Sequence, residues 1–186
     1  MSLPQARNCG TALTAASMFA ACSILQPPDV RLDVPYVSTP YEVVDEMLRL
    51  AQVGSGDLLY DLGCGDGRIV ISAARRFGTR GVGIDIDPRR IADADAAARS
   101  AGVAERVRFV QQDLFETDFS AASVVALYLL PELNARLMPK LRALRPGTRV
   151  VSHDFAIGDW PPEHVTQVTV HGETHRLLLW TVPPHR

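Results

Sequence analysis

Residues 58–67, Leu58-Leu59-Tyr60-Asp61-Leu62-Gly63-Cys64-Gly65-Asp66-Gly67, constrain the fold more than any other stretch of the chain. A short apolar run containing Tyr60 reads as a buried β-strand. Glycines at alternate positions straight after it permit positive φ and leave no Cβ in the way of a ligand. Residues 68–77, opening Arg68-Ile69-Val70-Ile71, read as a helix. Strand, glycine turn and helix N-terminus together form a nucleotide-binding corner, in which backbone N–H groups are expected to converge on the ligand.

The spacing separates two kinds of cofactor. In the dinucleotide fingerprint the third glycine comes three positions after the second. Here that position is Arg68, and the third glycine is Gly67. The acid Asp61, two places before Gly63, is also foreign to that fingerprint. The run Asp61-Leu62-Gly63-Cys64-Gly65-Asp66-Gly67 instead resembles motif I of the class I S-adenosylmethionine (SAM) methyltransferases. A glycine turn serving packing alone is the bland alternative, and the motifs that follow weigh against it.

A second strand, Gly81-Val82-Gly83-Ile84-Asp85, ends in an acid 22 residues beyond Gly63. A carboxylate there accepts from both ribose hydroxyls, which suits NAD or SAM equally. Asp87 and Pro88 read as the cap and first residue of a helix that runs to Gly102. The third strand is Val107-Arg108-Phe109-Val110-Gln111. Asp113, just after it, is either a turn residue or, as the resemblance to the methyltransferases implies, a carboxylate accepting from an adenine amino group. Residues 122–131 form the fourth strand and its exit, followed by a helical segment that Pro139 is expected to break or kink. Residues 149–155 form the fifth strand and its exit. The tail then reads as two strands, 164–170 and 176–182, turning at Gly172.

Strands alternating with helices predict an α/β fold, a doubly wound and mostly parallel seven-stranded Rossmann-like sheet. The final strand pair matches the antiparallel hairpin that closes the methyltransferase sheet, where a dinucleotide fold would continue βα. Ahead of the first strand, Thr39 is expected to cap a helix with Pro40 as its first residue and Glu42 completing a capping box.

From Val34 to Trp180 the chain resembles a bacterial branch of the class I methyltransferases. The resemblance rests on Pro35-Tyr36-Val37-Ser38-Thr39-Pro40, on Tyr60 to Val70, on Gly81 to Asp85 and on Val151-Ser152-His153-Asp154-Phe155. The first two motifs also resemble the mitochondrial lysine methyltransferases that modify the ATP synthase c-subunit. The match implies a SAM seat built from Asp61, Gly63, Cys64, Gly65, Asp85, Ile86, Asp113 and Leu114, with Tyr36 and Thr39 closing over it. It implies methyl transfer to an acceptor such as a protein lysine amine or a small molecule. Leu129-Leu130-Pro131-Glu132 replaces the Asn/Asp-Pro-Pro-Tyr motif of enzymes acting on base amines and glutamine amides.

A lysine acceptor must shed a proton, since its ordinary pKa is about 10.4. Glu132, His153 and Asp154, at strand exits, are the candidate catalytic residues, although His153 equally suits a structural hydrogen bond at a strand end. Tyr128, Phe155 and Trp160 are candidates to wall a cationic substrate. Methyl transfer needs no metal, and His171 and His175, flanking a turn without further ligands, are not read as a metal site. Two alternatives stay open: an NAD-type oxidoreductase and a non-catalytic SAM-binding protein.

The chain of 186 residues with a net charge of −2 offers no electrostatic case for nucleic acid as a partner. Residues 1–35 are expected to be an arm and linker, and 36–186 the methyltransferase domain. Within the arm, Arg7, a short apolar stretch and Phe19-Ala20-Ala21-Cys22 resemble a lipoprotein signal. That leaves cytoplasmic residence, or export with a membrane tether through Cys22. Cys9, Cys22 and Cys64 form no disulfide framework or zinc motif.

Overall fold

The computed structural model describes residues 37–184; Tyr36, Cys9, Cys22 and the signal-like arm lie outside them. Eleven elements follow in order: α1 (Tyr41–Leu50), β1 (Leu58–Leu62), α2 (Arg68–Phe77), β2 (Arg80–Asp85), α3 (Pro88–Ser100), β3 (Val107–Gln111), β4 (Val124–Leu127), α4 (Pro131–Arg142), β5 (Arg149–His153), β6 (His164–Val170) and β7 (Glu173–Thr181). The strands form one sheet in the order β3-β2-β1-β4-β5-β7-β6. The first five pair in parallel, and β7 is antiparallel to both β5 and β6. The expected mostly parallel seven-stranded sheet and its closing hairpin are both present.

Strand order reverses between β1, which leads to β2 and β3, and its other neighbour β4. A ligand crevice forms outside the carboxyl ends of strands at such a switch point. Burial explains why the central strands are apolar throughout. Every residue of β4 is buried, as strands covered by helices on both faces require. One core cluster joins α1, α2 and α3 to one face of the sheet, through Val44, Leu48, Val70 and Phe109. The other packs α4 beneath the opposite face, through Leu127, Leu137, Leu141 and Trp180.

Two local expectations are corrected. Pro139 lies within a single helix, α4, instead of interrupting it. It sits in the last turn, where Ala143 N–H still reaches the Pro139 carbonyl, so the missing donor affects only the turn before. Thr39 does not cap α1, whose N-cap is Pro40 and which has no side-chain capping bond. The Thr39 hydroxyl is engaged elsewhere, 3.2 Å from Nδ1 of His153. By contrast Asp87 caps α3 as expected, accepting from Arg89 N–H, with Pro88 in the first turn.

Candidate active site

The carboxyl ends of β1, β2 and β4, the loop after β3 and residues 37–39 enclose a cleft of about 1020 Å³, counted out to its open mouth. Asp61, Gly63 and Cys64 line it from the glycine corner, Asp85 and Ile86 from the end of β2, and Asp113 and Leu114 from the loop after β3. Thr39 lines it from the segment before α1, and Tyr128, Leu129 and Leu133 from the far side. Seven of the predicted cofactor residues, together with Thr39, therefore meet in one place.

The glycine corner is built differently from a phosphate cradle. The N–H groups of Gly63 and Cys64 both donate to the Ile84 carbonyl at 2.8 Å. Gly65 N–H donates to Asp85 Oδ2 at 2.9 Å, Gly67 N–H to the Cys64 carbonyl at 2.9 Å, and Arg68 N–H to Asp66 Oδ1 at 3.2 Å. The expectation that these N–H groups converge on the ligand is corrected: the loop spends them on itself and on β2. A dinucleotide pyrophosphate needs such donors; a cofactor without phosphate does not. Packing also demands the glycines. At Gly67, with φ 76, a Cβ would lie 2.6 Å from the Phe109 ring.

Asp61 is the electrostatic centre of the cleft. It is almost fully buried, at 2% exposure, and its Oδ2 has no hydrogen-bond partner. Burial first, then the nearby Asp85 and Asp66 charges, push its pKa up to about 8. A buried acid facing a cavity with an unused oxygen favours a cationic ligand group. Asp85 is held rigidly, Oδ2 by Gly65 N–H and Oδ1 by Asp87 N–H, both at 2.9 Å. Each oxygen keeps a second lone pair for a ligand hydroxyl. Asp113 serves in part as a turn residue: its Oδ1 accepts from Phe115 N–H at 2.8 Å. Cys64 is buried, and burial pushes its thiol well above the ordinary range, so it acts as a small apolar filler.

None of the three catalytic candidates lines the cleft. Glu132 is exposed in the first turn of α4. His153 is fully buried and stacks on the Tyr128 ring, with centroids 3.9 Å apart. Burial lowers its pKa to about 4, against a raising effect of Asp154, so its imidazole is neutral at neutral pH. Its partners are side chains and not backbone: Thr39 on one nitrogen, His175 and Asp154 on the other. His175 thus joins His153, whereas His171 sits at the exposed turn. Of the aromatic candidates, Tyr128 lines the cleft, Phe155 stacks behind it at 6.2 Å, and Trp160 packs against Trp180 in the core.

Arg68 carries a role that sequence reading did not assign. It pairs with Asp66, donates from Nη1 to the Thr39 carbonyl at 2.9 Å and lies 5.1 Å from the Tyr41 ring centroid. It therefore straps residues 39–41 across the glycine corner. An Arg one residue past a glycine turn was the available signal.

A doubly wound sheet closed by an antiparallel pair, around a cleft with a buried unpaired acid and no phosphate cradle, defines a class I SAM-dependent methyltransferase. Residues 61–164 match the ANTKMT methyltransferase domain, and the chain belongs to that family. A protein-lysine N-methyltransferase of Saccharolobus islandicus (strain REY15A) is 45% identical over 155 residues, covering 82% of this chain and 96% of that protein. An ATP synthase c-subunit lysine N-methyltransferase of Xenopus laevis is 30% identical, over 82% of this chain and 67% of its own length. The crystal structure of an RNA methyltransferase from Salinibacter ruber in complex with S-adenosyl-L-homocysteine is 54% identical, with a TM-score of 0.75 over 81% of this chain and 96% of that one. The protein is a SAM-dependent methyltransferase, and SAM is its methyl donor.

Proposed function

We propose that this methyltransferase acts on a protein lysine amine. The observation that carries the reading is the acceptor wall. Tyr128, Leu129 and Leu133 form an apolar slot with one aromatic ring, and from the exit of β4 no amide or acid lines the cleft to grip an NH₂, Glu132 being exposed outside it. Such a slot suits an aliphatic stem ending in a cation. The 45% identity to a protein-lysine N-methyltransferase supports it.

The residues present fit SAM. The unpaired Oδ2 of Asp61 would receive the ammonium of the methionine end, Asp85 would accept from the ribose hydroxyls, and Ile86 and Leu114 would hold the adenine. Asp113 keeps an oxygen for the adenine amino group, and Gly63 allows close approach at the turn. Thr39, which lines the cleft, would close the methionine side. The cofactor supplies a methyl group on a sulfonium. The chain's contribution is alignment and exclusion of water. The amine enters neutral, having passed its proton to solvent as the apolar slot lowers its pKa. Its lone pair would take the methyl group that bound SAM supplies, with S-adenosylhomocysteine as the leaving product. His153 stands behind the slot and holds Tyr128 and Thr39 in place.

The Salinibacter ruber protein supports a second reading, an RNA acceptor. The cleft mouth favours the first reading. Asp66, Asp85, Asp87 and Asp113 line the cleft, against Arg68 and Arg90, which pair with Asp66 and with Asp87 and Asp93. That balance repels a phosphate backbone. Labelled SAM incubated with cell extract tests the choice. Label that is protease-sensitive and ribonuclease-resistant is expected; the reverse sensitivity would sink the lysine reading. The domain boundary near residue 36 is part of the same proposal: a chain beginning at Val34 is expected to bind SAM as the full chain does.

A further inference from the structure

Behind the acceptor wall, three side chains of metal-ligand type converge that methyl transfer does not use. Nε2 of His153, at the end of β5, lies 3.0 Å from Nδ1 of His175 on β7 and 3.3 Å from Oδ2 of Asp154. The His175 and Asp154 atoms are 3.9 Å apart. These separations of 3.0, 3.3 and 3.9 Å bracket the roughly 3.3–3.6 Å between donor atoms on a tetrahedral ion with bonds of about 2.0–2.2 Å, so small side-chain shifts bring all three onto one ion.

Two further features point the same way. Asp154 adopts φ 61, a left-handed conformation that a non-glycine residue seldom takes. Arg176 holds it there: Asp154 N–H donates to the Arg176 carbonyl, and Arg176 N–H donates to Asp154 Oδ1, both at 2.7 Å. The effect is to aim Oδ2 at the two imidazoles. On the other side, Thr39 Oγ1 lies 3.2 Å from His153 Nδ1. A hydrogen bond on the outer nitrogen is what orients a ligating histidine and sets its tautomer.

We propose that His153, Asp154 and His175 form a binding site for a divalent transition-metal cation of the zinc class. Two imidazole nitrogens and one carboxylate oxygen supply three bonds, with water completing the shell. The Asp154 and His175 side chains keep 29% and 12% exposure, which gives the ion an entry path and room for that water. Without the ion, an N–H bridges the two imidazoles. With it, His175 binds through Nδ1 and carries its proton on Nε2, so no electron transfer is involved. Because Tyr128 and Thr39 stand between this site and the methyl donor, the ion is a staple. It ties the exit of β5 to β7 and stiffens the wall against which the acceptor lies. The site stands whichever acceptor the enzyme uses.

The test uses the full chain, tag removed and stripped with chelator, titrated with Zn(II) by calorimetry and with Co(II) by visible absorption. One saturable equivalent is expected, with the intense d–d bands of a four- or five-coordinate ion. His175→Gln and Asp154→Asn should each weaken binding at least tenfold while S-adenosylhomocysteine binding persists. The Zn(II)-dependent rise in Tm should vanish with them. Absence of a saturable equivalent, unchanged affinity in both variants, or a sulfur-to-cobalt charge-transfer band placing the ion on a cysteine would each overturn the proposal. Should either variant fail to fold, the wild-type Co(II) spectrum decides: weak octahedral bands alone refute it.

Discussion

Asp61 offers a quantitative handle on the SAM site. With a pKa of about 8 in the folded chain and 3.8 as its ordinary value, it is protonated in the folded state and ionised in the unfolded state across the intervening pH range. The unfolded state then binds fewer protons, so stability is complete below the lower value and falls as pH rises toward the upper one. The slope is on the order of 1 kcal/mol per pH unit. On the proposed assignment the amino group shared by SAM and S-adenosylhomocysteine would pair with the ionised form, so binding should expel a proton. Calorimetry between pH 5.5 and 7.5, in buffers of differing ionisation enthalpy, should show release approaching one proton and an affinity rising by up to about tenfold per unit. Asp61→Asn, nearly isosteric and uncharged, should flatten both the affinity slope and the decline of Tm with pH. It should fold at least as stably at pH 8 while binding S-adenosylhomocysteine at least about tenfold more weakly, the loss of one charged pair. Parallel pH slopes in wild type and Asp61→Asn would refute the reasoning.

Other substitutions separate binding from scaffolding. Asp85→Ala should weaken S-adenosylhomocysteine binding at least about tenfold. It should also lower stability by about 1–3 kcal/mol, because Gly65 and Asp87 N–H lose their acceptor; denaturant titration and calorimetry read the two effects. Gly67→Ala should cost about 3 kcal/mol, combining positive φ with a clash on Phe109, measured by thermal unfolding. Arg68→Ala should release residues 37–41, read as faster hydrogen exchange there, with KM for SAM raised; unchanged exchange would show that the strap does not depend on it.

Much of the fold was legible because its signals were local and consistent. Alternating glycines after an apolar strand, Asp87-Pro88 as a helix start and two β-rich runs around Gly172 each specify an element by backbone chemistry, and the elements assemble as expected. The lining of the cleft was legible for the same reason, since strand ends fix where Asp61, Asp85 and Asp113 stand. What was hidden depended on contacts far apart in sequence. Thr39 satisfies every local rule for a helix cap, yet His153, brought beside it by β5, claims its hydroxyl. His171 and His175, flanking a turn, gave no sign of a site in the sequence, because it is strand alternation and the β5–β7 register that deliver His175 to His153. The glycine-loop N–H groups pointed toward a ligand only until β2 was placed, because Ile84 and Asp85 take three of them. Trp160 stood as a candidate for the acceptor wall until its packing on Trp180 placed it in the core.

The most direct test of the central claim is the chemical identity of the methylated product. Purified chain, SAM labelled in its methyl group and a proteome lacking endogenous methylation should be combined, the proteins hydrolysed to amino acids and the label located by mass spectrometry. Label in ε-N-methylated lysine, abolished in Asp61→Asn and Asp85→Ala, is the predicted result. Label confined to nucleosides or to small molecules, with none in lysine, would contradict it.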